Sequence, residues 1–124
     1  MKLASPQLEA VFIENRPWGN FEQFLTNAVG TVKVITVEPQ QRLSLQRHRL
    51  RDEMWRILDG PVDVRLDLAE WQAHAGDTIW IPRNALHRMG NSSDQPVRIL
   101  EIAFGSFDEL DIERLDDDYK REGR

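Results

Sequence analysis

Apolar and polar residues alternate along much of this chain. Val62, Val64, Leu66 and Leu68 interleave with Asp63, Arg65 and Asp67, a period of two that predicts a strand with one buried face. Thr31–Val37 is β-branched and strand-like, and Pro39 ends it. Val97–Phe104 predicts a long apolar strand, and Thr78–Ile81 a short buried one before Pro82. Asn20–Leu25, Leu43–His48, Glu53–Leu58 and His87–Met89 read as further strands, with Glu70–Ala73 returning as a hairpin arm. Turn signals separate them: Arg16-Pro17-Trp18-Gly19 with Trp18 as a bulky anchor, Asn27–Gly30, Asp59-Gly60-Pro61, Ala75-Gly76-Asp77, Pro82-Arg83-Asn84 and Gly90–Asp94. No stretch carries a long amphipathic helix. Short strands with turns at roughly 8–12-residue spacing predict an all-β sandwich or barrel. The ends are less regular. Met1–Ile13 reads as a short strand or packing arm, and Phe107–Tyr119 as an acidic segment, irregular or partly helical.

Composition narrows the picture. A chain of 124 residues, 40% hydrophobic and 30% charged, reads as one soluble domain over residues 1–124, with an arm at 1–15 and an acidic tail at 107–124. There are no cysteines, so neither disulfides nor thiolate metal ligands are available. No apolar run approaches the roughly 18 residues of a membrane span, and Met1–Asn15 lacks the apolar core of a leader. The expectation is a cytoplasmic protein without a membrane partner. Asp108–Asp118 holds seven acids against Arg114 alone, so the net charge of −5 resides in the tail and the body is nearly neutral. That balance argues against nucleic-acid binding and leaves room for a local anion pocket.

The candidate chemistry lies in two stretches, Gln46–Gly60 and Gly76–Asn91. On a strand, Ser44, Gln46 and His48 share one face, and Leu43, Leu45 and Arg47 the other. Such a polar face meets either water or a lined pocket. Glu53 follows His48 closely, and His87 follows the Pro82 turn. Gln46, His48, Glu53 and His87 together are a mixed nitrogen and oxygen donor set suited to zinc, manganese, iron, cobalt or nickel. His74 lies in a polar hairpin outside both stretches and reads as a surface residue. Trp55 and Trp80 read as core.

The two stretches resemble the paired motifs of the cupin superfamily. There, His-x-His is followed by three or four residues, Glu, six residues and Gly. The second motif is Gly, five residues, Pro-x-Gly, two residues, His, three residues and Asn. Here the first reads Gln46-x-His48, then Glu53 and Gly60, and the second Gly76, Pro82, His87 and Asn91, all at matching spacing. Gln46 takes the first His slot and Asn84 the Gly slot. The resemblance implies a double-stranded β-helix, or jelly-roll barrel. A narrower resemblance, to type II phosphomannose isomerases, rests on Arg16-Pro17-Trp18-Gly19, Leu43–Gln46, Arg51-x-Glu53-x-Trp55 and Asp111–Tyr119. Gln in the first ligand slot is that family's own pattern. The chain departs from it at Arg49 and Leu50, where the family continues a His run, at Met54, usually His, and at Lys120, usually Gly.

That resemblance implies interconversion of mannose 6-phosphate and fructose 6-phosphate, a proton transfer between C1 and C2. It requires a Lewis acid on the C1 and C2 oxygens, a base and a phosphate anchor. One divalent ion on Gln46, His48, Glu53 and His87 would be the Lewis acid. Arg51 would make the catalytic contact to substrate oxygens, and Arg16 and Lys33 would bind substrate, a small sugar phosphate. The family's cupin usually follows a mannose-1-phosphate guanylyltransferase, for which this chain has no Gly-rich phosphate loop. The alternative is a metal-binding cupin that binds a sugar or small anion without isomerase activity. A homodimer is expected, with Leu8–Ile13 as the segment that pairs with a second copy.

Overall fold

The computed structural model describes residues 11–121, and every regular element among them is a strand. In chain order these are β1 Phe12–Arg16, β2 Gly19–Gln23, β3 Gly30–Val37, β4 Gln41–Arg42, β5 Leu45–Arg47, β6 Arg51–Asp59, β7 Val62–Leu66, β8 Ala69–Ala73, β9 Thr78–Ile81, β10 His87–Asn91, β11 Val97–Gly105 and β12 Glu113–Asp116. One sheet has the order β3-β11-β6-β9. A second runs β12-β5-β10-β7-β8, with β4 also on β10, and β1 and β2 form a two-stranded sheet of their own. All the pairings are antiparallel. The main apolar core draws on both larger sheets, with Trp55, Ile57, Ile79 and Ile99 from one and Val62, Val64, Ala73 and Met89 from the other.

Strand alternation divides the interior. On β6, Arg51, Glu53, Trp55 and Ile57 all point inward and are buried. The first two are charged and the last two apolar, so one strand crosses from a polar end to a dry end. The same switch occurs on β11 between Ile99 and Glu101, and on β10 between Met89 and His87. The opposite face of β6 carries Met54, wholly buried in a separate cluster with Ile102 and Phe104. Phe24, Leu25 and Val11 cover that cluster. The β1–β2 hairpin is held there by Arg56, which donates to both Glu22 carboxylate oxygens at 2.7 Å.

Three expectations need correction. The acidic tail is not helical: it contributes β12, which pairs with β5 and closes the edge of its sheet. Trp18 is not an anchor among the described residues; it stands 73% exposed at the tip of the β1–β2 hairpin, where Arg16 faces Gly19. The Leu43–His48 strand is shorter than expected: β5 takes only Leu45–Arg47, and His48 lies just beyond it, before the bend at Arg49 and Leu50. Of the arm and the Leu8–Ile13 pairing segment, residues 1–10 lie outside the described residues; Phe12 and Ile13 are exposed on β1.

Candidate metal centre

The connection between β5 and β6 delivers the first candidate ligands. β5 carries Gln46 inward, the connection carries His48, and β6 begins with Arg51 and Glu53. β10 lies beside β5 in the same sheet and sets His87 opposite Gln46. The turn before His87 is fixed to that connection, because the Asn84 N–H donates to the His48 carbonyl at 2.7 Å. Asn84 holds a φ of 69°, a left-handed conformation that Asn adopts more readily than other residues with a side chain. That is why Asn can stand in the Gly slot of the motif.

The two imidazoles are oriented by main-chain carbonyls. His48 Nδ1 lies 2.7 Å from the Asp111 oxygen and His87 Nδ1 3.0 Å from the Ala85 oxygen. A carbonyl only accepts, so each Nδ1 carries the proton and each Nε2 is left unprotonated, with a lone pair able to accept a hydrogen bond or bind an ion. Both lone pairs face Glu53: His48 Nε2 is 3.4 Å from Oε2 and His87 Nε2 is 3.7 Å from Oε1. An ion with tetrahedral bonds of about 2.1 Å spaces its donors roughly 3.4 Å apart, and here the donor atoms lie within 4.8 Å of one another. The chemistry, tautomers and spacing of this set fit a divalent transition ion. Main-chain support of the far ring nitrogen is the usual way a ligand histidine is held.

Electrostatics agree with that fit. Burial pushes both imidazoles below the ordinary histidine range, against the pull of Glu53, so at neutral pH they are uncharged, as ligands must be. Burial raises the Glu53 carboxyl, but His87, His48 and Arg51 together lower it further, and it stays an anion. Trp55 Nε1 donates to Glu53 Oε1 at 3.3 Å, so this core residue also braces the ligand. Arg51 donates from Nε to Glu53 Oε2 at 3.0 Å and from a terminal nitrogen to His48 Nε2 at 3.2 Å.

Around this cluster is a cavity of about 190 Å³ whose lining includes Lys33, Gln46, His48, Arg51, Glu53 and Glu101. Two larger hollows of about 760 and 610 Å³ lie away from it, on the outer face around Arg42 and Arg88 and beside the β7–β8 turn. Among the described residues, neither holds a group of metal-ligating side chains; the one such group borders the smallest of the three. Lys33 and Arg51 both stack on the Phe107 ring, at 4.3 and 4.4 Å from its centre. Arg16 is not brought here: it stands on the hairpin, paired with Glu14 and over Phe21. His74 is exposed in the turn after β8, and the departures at Arg49, Leu50 and Met54 also miss the cavity. Sequence reasoning missed Glu101 and Asp111. Glu101 hydrogen-bonds Glu53 and is pushed up to about 8, by burial first and then by the charge of Glu53.

Comparison with known proteins gives this geometry a context. Residues 7–117 match the family model described as mannose-6-phosphate isomerase C-terminal. The chain belongs to that family. It is 38% identical over 107 residues to the alginate biosynthesis protein AlgA of Pseudomonas aeruginosa, covering 86% of this chain and 22% of that protein. It is 33% identical, with the same coverage, to the mannose-1-phosphate guanylyltransferase ManC of Salmonella typhimurium. The chain thus spans about a fifth of the length of these relatives. A solved structure of a double-stranded β-helix protein from Klebsiella pneumoniae superposes with a TM-score of 0.62 at 18% identity, over 72% of this chain and 76% of that one. The fold is therefore that of a cupin, all-β and double-stranded β-helical, as the motifs imply. Among the described residues no helix is long and apolar enough to cross a membrane.

Proposed function

We propose that this domain binds one divalent transition ion through Gln46, His48, Glu53 and His87 and interconverts mannose 6-phosphate and fructose 6-phosphate. The observation that carries the reading is the pair of tautomer-fixed imidazoles aimed at one buried carboxylate. A bound ion would supply Lewis acidity toward the C1 and C2 oxygens of the sugar. The chain's own residues do the rest. Glu53 and the histidines hold the ion, and Lys33 and Arg51 place two cations on one side of the cavity to meet a phosphate or a developing enediolate oxygen. Family membership supports a sugar phosphate as the ligand. We place the protein in the cytoplasm as a homodimer, with β1 available to a second copy.

The test is fructose 6-phosphate formation from mannose 6-phosphate with zinc, manganese, iron, cobalt or nickel, alongside elemental analysis. About one ion per chain and turnover are expected. His48→Ala and His87→Ala should each abolish metal uptake while staying folded, and His74→Ala should match the wild type. Equal effects of all three would refute the ligand assignment. A second reading, a metal-binding cupin that holds a sugar or anion without turnover, is favoured by one observation: Arg51 already neutralises Glu53 in the cavity. Metal uptake with sugar-phosphate binding and no turnover would select it.

A further inference from the structure

The Arg51 guanidinium touches the same atoms that the proposed ion needs. Its Nε donates to Glu53 Oε2 at 3.0 Å, and one terminal nitrogen donates to His48 Nε2 at 3.2 Å. His48 Nε2 has one lone pair to give, because its other ring nitrogen is committed to the Asp111 carbonyl at 2.7 Å. A lone pair accepting a hydrogen bond from Arg51 cannot at the same time bind an ion at about 2.1 Å. Arg51 is also fixed on its far side. Its second terminal nitrogen donates to the Asp108 carbonyl at 3.3 Å, and its plane lies 4.4 Å from the centre of the Phe107 ring. The residue is buried, at 7% exposure.

We propose that Arg51 is a built-in competitor for the metal: it satisfies Glu53 and His48 when the ion is absent, and must withdraw from both for the ion to bind. Arg51 is then a positioning residue that sets metal affinity, separately from any contact to substrate. Withdrawal also turns a cation from the ligands toward the open cavity, where a substrate anion would meet it. This inference rests on the metal reading of the site, and the experiment below separates the two.

The 124-residue chain, stripped with chelator and dialysed, is titrated with Co²⁺ and with Zn²⁺ by calorimetry. The set is wild type, Arg51→Met and Arg51→Lys, each checked for folding by circular dichroism. Arg51→Met removes the competing hydrogen bonds and should tighten metal binding about 10- to 100-fold. Arg51→Lys keeps the charge but presents a single ammonium that cannot bridge both atoms, and should fall between. If Lys matches the wild type while Met binds tighter, charge alone is responsible and the occupancy idea is lost. Equal or weaker binding by Met overturns it while leaving the metal site standing. No uptake by any of the proteins removes both. A second measurement needs no variant. Arg51 in metal-free wild type should resist an arginine-directed dicarbonyl reagent, and saturating Co²⁺ should speed its labelling, read by peptide mapping. Unchanged labelling with the ion bound would also overturn the proposal.

Discussion

The dry and polar ends of the barrel interior are built on the same strands. On β3, Val37 and Ile35 lead to Lys33; on β11, Val97 and Ile99 lead to Glu101; on β6, Ile57 and Trp55 lead to Glu53 and Arg51. Lys33, Glu101 and Trp55 are direct cross-strand neighbours, so the boundary passes through one rung of the sheet. At the dry end the forces are non-directional, and the cost of a substitution follows the volume lost. A buried amide there, Asn91, donates to the Val37 and Gln95 carbonyls and accepts from Ser93. At the polar end every group depends on the charge state of the next. Arg51 balances Glu53, the imidazoles are neutral, and Glu101 keeps its proton. Such an end can be rearranged by pH or by an ion, which the dry end cannot.

The largest expected difference between the ends is in pH dependence. Glu101 is held up to about 8 in the fold, against an ordinary value of 4.5. The folded state keeps a proton that the unfolded chain releases, so this stabilisation is complete below pH 4.5 and is lost as pH rises through about 8. The histidines act in the opposite sense. Burial holds them below 6.5, so their contribution is full above that pH and declines as pH falls through their lowered values. Metal-free wild type should therefore lose several kcal/mol relative to Glu101→Gln between about pH 5 and pH 8. Urea denaturation of chelator-treated protein across that range measures it, and parallel stability curves would contradict the protonated carboxyl.

The dry end should respond to volume instead. Trp55 is 1% exposed in the main core, and Trp55→Ala should cost about 3–5 kcal/mol in unfolding free energy, against about 0.5–1.5 for Ile57→Val. The Trp55 loss should be nearly independent of pH and larger than any loss from a surface substitution. A strong pH dependence would mean that its hydrogen bond to Glu53, not its volume, dominates.

The fold and most of the site were legible for one reason: periodicity and motif spacing report positions on strands. Alternation placed β7, a long apolar run placed β11, and the spacing of His48, Glu53 and His87 brought together three residues that the structure clusters. What was hidden acts through other means. Asp111 orients His48 through its main-chain carbonyl, which no side-chain pattern reveals. The tail's composition suggested an irregular or partly helical segment, but its acids cap backbone N–H groups and Arg side chains, as Asp111, Asp116 and Asp118 do. Glu101 did leave a signal: a lone acid on the otherwise apolar inward face of its strand, a local rule broken beside the candidate site. Met54 shows the converse. Its departure from the family pattern suggested a lost site residue, yet its parity on β6 turns it away from the cavity.

A moderate effect separates the tail from both ends. The Asp111 carboxylate accepts from the Arg49 and Leu50 N–H groups, each at 2.9 Å, while its carbonyl holds His48. Asp111→Ala frees the bend without touching a ligand. Metal affinity should fall about 10- to 100-fold, the usual range for removing such support, and Asp111→Asn, which keeps one acceptor oxygen, should fall less. Co²⁺ titration decides. Unchanged affinity in Asp111→Ala would mean that Asn84 alone fixes the bend.

The smallest effect concerns the ring that Lys33 and Arg51 share. Phe107 lies 4.3 Å from the Lys33 ammonium and 4.4 Å from the Arg51 guanidinium. Leu at that position keeps the apolar contact but removes the electron-rich face, and a half-buried cation–π contact is worth about 0.5–2 kcal/mol. Phe107→Leu should therefore lower the stability of the metal-free protein by about 1 kcal/mol. Because the ring holds Arg51 against Glu53 and His48, the same substitution should raise Co²⁺ affinity by several-fold, well short of the gain in Arg51→Met. The combination is diagnostic: a stability loss in the metal-free state with a gain in metal binding. General loosening of the polar end would instead weaken both, and that result would place Phe107 in the packing of the tail rather than in the control of Arg51.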